Sequence, residues 1–203
     1  MTESEDNQQG NVPVLNNTIP PKKEKKENSI WELVKFALIA IAIVIPIRVF
    51  IAQPFIVSGL SMFPTFHNSD YLIVDQISYR FKKPQRGDVV IFKYPKDPSK
   101  YFIKRLIGLP NEEVILNGNT VKIKNKEHPD GFILDEPYIK NQSNNMMDVI
   151  IHDDEYFMMG DNRSASSDSR VWGVLPKRFI TGRALIRLLP IKGIDLFPGK
   201  NNY

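Results

Sequence analysis

Apolar and polar residues divide the chain into three stretches. Residues 1–29 are polar, contain three prolines and end in a cluster of lysines and glutamates, which is typical of a disordered tail. The sequence then turns abruptly apolar from Trp31 to Ala52. From residue 53 onwards, short runs of apolar and polar residues alternate between Pro, Gly and Asn. This pattern predicts a mainly β domain over residues 53–203.

The β-like runs are short and closely spaced. Asn117-Gly118, between two alternating runs, is a strong signal for a two-residue hairpin. Many short strands between turn residues favour an antiparallel β-barrel or sandwich over βαβ units. Residues 125–154 are polar, and we interpret them as an irregular insertion in this domain. The predicted strands are Tyr71–Asp75, Asp88–Lys93, Tyr101–Ile107, Glu113–Leu116, Thr120–Lys124, Glu155–Met159 and Thr181–Leu189.

The apolar stretch is predicted to be a transmembrane signal-anchor over residues 30–52. Its charge-free core, Phe36–Ile47, is short, but Lys35 and Arg48 can extend their charged ends to the interface. Counted in this way, Leu33–Ala52 is long enough to span a bilayer. A cleaved signal peptide and a buried helix of a soluble protein remain alternatives. A cleaved signal peptide would need a small residue at the first position of its cleavage site, and Phe50-Ile51-Ala52 begins with phenylalanine.

Charge and composition narrow the functional classes. Several lysines precede the apolar stretch, and between Arg48 and Arg80 no basic residue occurs. The N-terminus is therefore expected in the cytoplasm and the β domain outside it, on the cytoplasmic membrane and in contact with lipid. The formal charge of +4 gives no sign of nucleic-acid binding. The chain has no cysteine and its three histidines are widely spaced, so neither a metal site nor a cofactor is expected.

Two segments carry candidate chemistry. In the first, Val57–Thr65, Ser61 lies between a glycine and a proline just after the apolar stretch. In the second, Tyr101–Arg105, Lys104 stands in an apolar, strand-like run. Ser61 taken alone is typical of a turn, and a strand lysine usually points to solvent. If Lys104 is instead buried, desolvation lowers its pKa, and it becomes a base that activates the serine hydroxyl.

A third segment, Met159–Arg170, places serines, carboxylates and arginines in one loop. Taken together, the three segments resemble the bacterial type I signal peptidases, the leader peptidases. The resemblance rests on Ser61-Met62-x-Pro64-Thr65, Arg86-Gly87-Asp88-Val89-Val90, Tyr101-x-Ile103-Lys104-Arg105-x-x-Gly108-Leu109-Pro110 and Gly160-Asp161-Asn162-Arg163-x-x-Ser166-x-Asp168-Ser169-Arg170. It covers roughly residues 30–190 and implies a mostly antiparallel β fold.

The resemblance implies a serine endopeptidase that removes N-terminal signal peptides from exported preproteins. Ser61 corresponds to the nucleophile, Lys104 to the general base, and Ser166 to a serine that orients the lysine. The resemblance also implies supporting residues that shape the site without reacting. They are Arg105, Asp161, Arg163, Asp168 and Arg170.

The resemblance also implies recognition of an Ala-x-Ala-like site. Bulky residues in the walls of the substrate pockets would make these pockets shallow, so that they admit alanine and reject larger side chains. The corresponding wall residues are Phe55, Val57, Met62, Phe102 and Ile103. The Ser61 backbone N–H is the expected oxyanion donor. Some family members have a serine two residues before the nucleophile as a second donor, and this chain has Gly59 there. That departure leaves the second donor uncertain.

Other functions fit the same residues. A peptidase dedicated to one precursor would carry the same serine and lysine. An inactive homologue that acts as a binding module is less consistent with the retention of both residues. A self-cleaving regulator would need a DNA-binding domain, and none is evident in the sequence. The enzyme is expected to act as a monomer on signal peptides.

Overall fold

The computed structural model describes residues 29–46, 52–140, 144–201 and 203. One helix, α1 (Ser29–Pro46), lies within the predicted apolar stretch. No helix within the described ranges is long and apolar enough to cross a membrane. The predicted span 30–52 is therefore not confirmed, and residues 47–51 lie outside the described ranges. The predicted disordered tail also lies outside them, except for residue 29.

Between residues 52 and 203, the described part of the chain forms twelve strands in two antiparallel sheets. The larger sheet begins, in chain order, with the strands β1 (Ala52–Ile56), β2 (Tyr71–Asp75), β3 (Val89–Tyr94) and β4 (Asp97–Gly108). It is completed by β9 (Glu155–Met159), β10 (Leu175–Pro176), β11 (Ile180–Leu189) and β12 (Asp195–Leu196). The small sheet contains β5 (Glu113–Asn117), β6 (Thr120–Lys124), β7 (Phe132–Ile133) and β8 (Met146–Ile150). Two four-residue helices, α2 (Ser78–Phe81) and α3 (Ser169–Trp172), connect strands of the larger sheet.

The prediction of a mainly antiparallel β fold is confirmed. The larger sheet has the strand order β1-β2-β11-β3-β4-β9-β10, with β12 beside β11, and this order does not close. The barrel form of the prediction is therefore wrong. The predicted hairpin at Asn117-Gly118 joins β5 to β6, with Asn117 opposite Thr120. Residues 125–154 are not only an irregular insertion, because β7 and β8 complete the small sheet with the order β7-β6-β5-β8.

Buried apolar side chains hold the two sheets in place. The small sheet packs Val114, Val121 and Ile123 against Ile107 and Phe157 of the larger sheet. A second apolar cluster, which includes Met62, Phe66 and Leu72, lies under the segment that carries Ser61. A third cluster surrounds Trp172 of α3. The segments that contain Ser61 and Lys104 are therefore anchored to buried apolar side chains.

Among the strand edges of the larger sheet that are unpaired within the described residues, two belong to β1 and β4. β1 pairs only with β2, so its other edge is free. β4 pairs with β3 along its length, but its pairing with β9 begins only at Arg105. The edge of β4 that would face β9 is thus free from Tyr101 to Lys104. Free N–H and C=O groups of this kind can pair with another extended chain.

Candidate active site

Ser61 and Lys104 lie in direct contact. Ser61 follows β1 in a turn, in which the Phe63 N–H donates to the Leu60 carbonyl and the Phe66 N–H to the Met62 carbonyl. Lys104 lies on β4. The Lys104 Nζ donates to Ser61 Oγ at 2.7 Å and to the Ile103 carbonyl at 2.9 Å. The two residues predicted from the sequence as nucleophile and base are therefore within hydrogen-bonding distance.

Lys104 is buried rather than directed to solvent, with 4% of its surface exposed. This burial lowers the pKa of the Lys104 ammonium from 10.5 to about 8, and the negative charges of Asp168 and Asp161 partly oppose the change. A neutral amine 2.7 Å from a hydroxyl oxygen can accept its proton. The pair therefore has the geometry and the electrostatics of a nucleophile with its base.

The loop from Gly160 to Asn162 holds the Ser61 turn from one side. The Asn162 N–H donates to the Ser61 carbonyl at 3.0 Å, and the Asn162 side chain donates to the Leu60 carbonyl at 3.1 Å. Gly160 is packed so closely that a Cβ there would lie 2.4 Å from the Ser61 carbonyl oxygen. A side chain at position 160 would therefore displace Ser61. Asn162 was not among the predicted site residues, although the motif contains it.

A buried ion pair supports the same turn. Arg105 donates from Nε and Nη2 to the two Asp161 oxygens at 2.8 and 2.6 Å, and each side chain is 1% exposed. The Thr65 hydroxyl donates to Asp161 at 2.5 Å, which connects the ion pair to the segment that follows Ser61. Arg105 Nη1 also donates to the Gly199 carbonyl. Neither Thr65 nor Gly199 was predicted as a site residue, although the motif contains Thr65; only a tertiary contact reveals Gly199.

Asp168 and Arg170 form a second ion pair in the same loop. Asp168 is fully buried and accepts from the Gly160 N–H at 3.0 Å and from Arg170 Nε and Nη2 at 2.8 Å each. Burial alone would raise the pKa of the Asp168 carboxyl, but Arg170, the Gly160 N–H and the Ser166 hydroxyl together outweigh it, and the pKa is lowered. Asp168 therefore stays ionised and holds Gly160 against the Ser61 turn.

Ser166 lies beside Ser61 without a hydrogen bond to Lys104. Its Oγ is buried and meets no partner with hydrogen-bond geometry among the described residues, but its hydroxyl is near enough to Asp168 to help lower the pKa of that carboxyl. The same oxygen lies 2.2 Å from the position that a Cβ at Gly160 would take, next to the Ser61 carbonyl. The structure therefore brings Ser166 to the site, and its orientation of Lys104 stays a prediction.

Gly59 offers an oxyanion neither a side-chain hydroxyl nor a free backbone N–H. It has a positive φ of 93°, has no hydroxyl, and donates its N–H to the Asn68 side chain at 3.0 Å. The Ser61 N–H, by contrast, meets no acceptor within the described part of the chain. Ser61 therefore presents a free backbone donor next to its own hydroxyl.

An apolar groove of about 420 Å³ leads to the Ser61–Lys104 pair. Four of the predicted wall residues, Phe55, Val57, Phe102 and Ile103, line it. Met62 does not line it, because its side chain is 1% exposed and packs in the cluster beneath. The groove also contains residues that were not predicted as walls: Ile56, Ser58, Leu72, Ile91, Lys100, Tyr101 and Ser167.

Comparison with known proteins places these features in a family. A family model described as signal peptidase, peptidase S26, matches residues 30–189. The chain belongs to the signal peptidase family. A probable signal peptidase I-2 of Synechocystis sp. is 36% identical over 190 residues, which cover 90% of this chain and 84% of that protein. Signal peptidase I of Bacillus licheniformis is 31% identical over 185 residues, covering 85% of this chain and 96% of that protein.

Among solved structures, a signal peptidase I from Enterococcus faecalis is 30% identical in sequence to this chain. The match covers 50% of this chain and 97% of that chain, with a TM-score of 0.43.

Proposed function

We propose that this protein is a membrane-bound signal peptidase I that removes signal peptides from exported preproteins after an Ala-x-Ala-like site. The observation that carries the proposal is the 2.7 Å contact between Ser61 Oγ and the buried Lys104 Nζ at the end of an apolar groove. The names of the relatives, signal peptidase I, support the choice of substrate.

The proposed reaction is acyl transfer through a serine ester. Ser61 Oγ attacks the carbonyl carbon of the scissile bond while neutral Lys104 accepts the hydroxyl proton. The free Ser61 N–H donates to the oxyanion. The protonated Lys104 then gives its proton to the departing amine, which releases the mature protein. Neutral Lys104 finally takes a proton from water, and the resulting attack on the ester frees the signal peptide and returns the proton to Ser61.

The supporting residues are assigned to positioning. Ser166, with its buried and unbonded hydroxyl, is proposed to orient Lys104 when substrate excludes water. Asp161 and Asp168 hold the Ser61 turn and keep negative charge near the lysine, which stabilises the protonated form after proton transfer. Arg105 and Arg170 fix these carboxylates by ion pairs.

Substrate is proposed to bind as an extended strand in the groove. β1 and the Tyr101–Lys104 part of β4 both present free edges there, and pairing with such an edge supplies main-chain hydrogen bonds. Phe55, Val57, Phe102 and Ile103 then limit the space for side chains one and three positions before the cut. We propose that these walls leave room for alanine and exclude larger side chains.

Membrane attachment is proposed to involve α1 and the residues that follow it. The segment from Phe36 to Ile45 is apolar on all sides, and its large apolar side chains, such as Phe36 and Ile39, are exposed. A single pass with a cytoplasmic N-terminus would place the β domain on the outer face. Protease protection of intact cells expressing the protein tests this topology, since a cytoplasmic β domain would be shielded from added protease.

The test of the activity is cleavage of an Ala-x-Ala precursor by the full chain in detergent. We expect cleavage after the final alanine, and loss of at least 1,000-fold in kcat for Ser61→Ala and for Lys104→Ala. Ser99→Ala and Lys93→Ala, exposed positions on β4 and β3, are matched controls that should keep parent rates. A folded parent that cleaves only one of several unrelated precursors indicates a dedicated peptidase, and one that cleaves none indicates a binding module.

A further inference from the structure

The segment that follows β7 of the small sheet reaches Arg105 and Arg163, two arginines that support the site. After β7 the chain is anchored by Leu134, which is 6% exposed in the core of the small sheet. It then places the ring of Tyr138 beneath Arg105, with the guanidinium carbon 3.9 Å from the ring centre. This separation is that of a direct cation–π contact. Arg105 is therefore held by Asp161 at its edge and by Tyr138 on its face.

Glu136 on the same segment binds the other buried arginine. Arg163 Nη2 donates to Glu136 Oε1 at 2.5 Å, and the two side chains are 1% and 6% exposed. The Tyr138 hydroxyl donates to the same carboxylate oxygen at 2.6 Å. Arg163 Nη1 and Glu136 Oε2 have no other partner in the described part of the chain. Because both charges are desolvated, neither has a substitute if the other is removed.

Both arginines act on the groups next to the reacting atoms. Arg163 Nε donates to the Gly160 carbonyl at 3.2 Å, and Gly160 packs against the Ser61 carbonyl. Arg105 fixes Asp161, which accepts from Thr65 in the segment that follows Ser61. One segment of ordinary loop composition thus contacts both supports of the nucleophile.

We propose that Tyr138 and Glu136 are positioning residues of the reaction, which hold Arg105 and Arg163 and thereby the Ser61–Lys104 contact. The proposal rests on the proposed function and assigns the small sheet a part in catalysis. Neither residue touches the reacting atoms.

The charges around Lys104 predict opposite effects for the two residues. The carboxylates that face Lys104 are Asp161 and Asp168, and their paired cations are Arg105 and Arg170. In Tyr138→Leu, a loosened Arg105 compensates Asp161 less, so the pKa of Lys104 rises and the acid limb of the pH–rate profile moves to higher pH. In Glu136→Gln, the uncompensated Arg163 cation favours neutral Lys104, so the limb moves to lower pH.

The experiment compares kcat, KM and the pH profile of the full chain in detergent micelles. We expect Tyr138→Leu to lower kcat about tenfold or more with little change in KM, since small displacements of reacting groups are costly. Tyr138→Phe keeps the ring over Arg105 and should retain most of the activity. If Tyr138→Leu does not fold, Tyr138→Met fills more of the ring's volume and carries the same expectation.

Two controls separate positioning from general stability. Phe132→Leu removes an aromatic ring that packs against the small-sheet core, and Glu113→Gln removes the same charge from a partly exposed pair with Lys124. Neither should shift the pH profile. The proposal is overturned if Tyr138→Leu and Glu136→Gln keep the parent kcat and pH limb, or if they change kcat only as much as the controls do and without opposite shifts.

A substrate-independent readout keeps this test distinct from that of the proposed function. In protein labelled with ¹³C-lysine, the Lys104 signal is assigned by its loss in Lys104→Ala, and its titration is followed in each variant. Opposite shifts of that titration support the positioning of Arg105 and Arg163 even if the parent cleaves no precursor, a result that would refute only the proposed function. Unchanged titration in both variants would refute the positioning even in an active enzyme.

Discussion

Lys104→Met is expected to stabilise the β domain at neutral pH while it abolishes activity. In the folded protein, burial lowers the pKa of Lys104 from 10.5 to about 8. At about 1.4 kcal/mol per pKa unit, holding the charged lysine in the fold costs about 3 kcal/mol. Methionine has a similar length and carries no charge, so the variant is free of this cost.

The pH dependence of the free energy of unfolding distinguishes the cost of burying charged Lys104 from the other effects of the substitution. Below pH 8 the lysine is protonated in both the folded and the unfolded state, and the full cost applies. Between about pH 8 and 10.5 only the unfolded state binds the proton, so the wild type gains stability as the pH rises. Above 10.5 the cost is gone. The lost hydrogen bonds to Ser61 and Ile103 add an offset that does not vary in this way.

The assay is urea unfolding of the full chain in detergent, followed by tryptophan fluorescence at several pH values from 7 to 10. The advantage of Lys104→Met over wild type should decline by about 2–3 kcal/mol across that range. Lys93→Met, at an exposed position on β3, is the matched control and should show a constant difference. A constant difference for Lys104→Met as well would refute the desolvation of this lysine.

Three further outcomes follow from the site. The kcat/KM of the wild type should fall about tenfold per pH unit below about pH 8, where Lys104 is protonated. An acid limb of the pH–rate profile near pH 10 would contradict the proposed role of Lys104 as a desolvated base. Asn162→Ala removes a 3.1 Å donor from the Ser61 turn and should lower kcat about tenfold at constant KM, whereas unchanged initial rates would exclude this support. Gly160→Ala places a Cβ 2.4 Å from the Ser61 carbonyl and should cost about 100-fold in kcat, while Gly193→Ala, with its nearest neighbours at 3.6 Å, should keep the parent rate.

Local sequence patterns predicted much of the larger sheet. β2 and β9 have the predicted bounds because each is a short apolar run bounded by turn residues. The Asn117-Gly118 turn located the β5–β6 hairpin for the same reason. β8 was missed because its sequence, Met-Met-Asp-Val-Ile, stands in a polar stretch, and its pairing with β5 is a long-range contact. Patterns within one strand carry no information about such a partner.

The site residues show the same difference between what local sequence patterns predict and what only tertiary contacts reveal. Neither Ser61 nor Lys104 is unusual in its local context, and both were predicted because the motifs that contain them occur together in one sequence. Whether Lys104 is buried depends on β3, β4 and the loop after β9, which meet only in the folded chain. Met62 was predicted as a groove wall from the family resemblance, yet its side chain packs in the core. Glu136 was not predicted at all, since its partner Arg163 is 27 residues away.

The free edges of β1 and β4 bear on how the substrates of this enzyme can evolve. Recognition through main-chain groups is indifferent to most side chains, so a precursor that pairs with these edges is constrained at the few positions that meet the groove walls. Mutations elsewhere in a leader sequence are then nearly neutral for processing. With the proposed mode of binding, one peptidase can serve many exported proteins whose leaders have diverged at the positions that do not meet the groove walls.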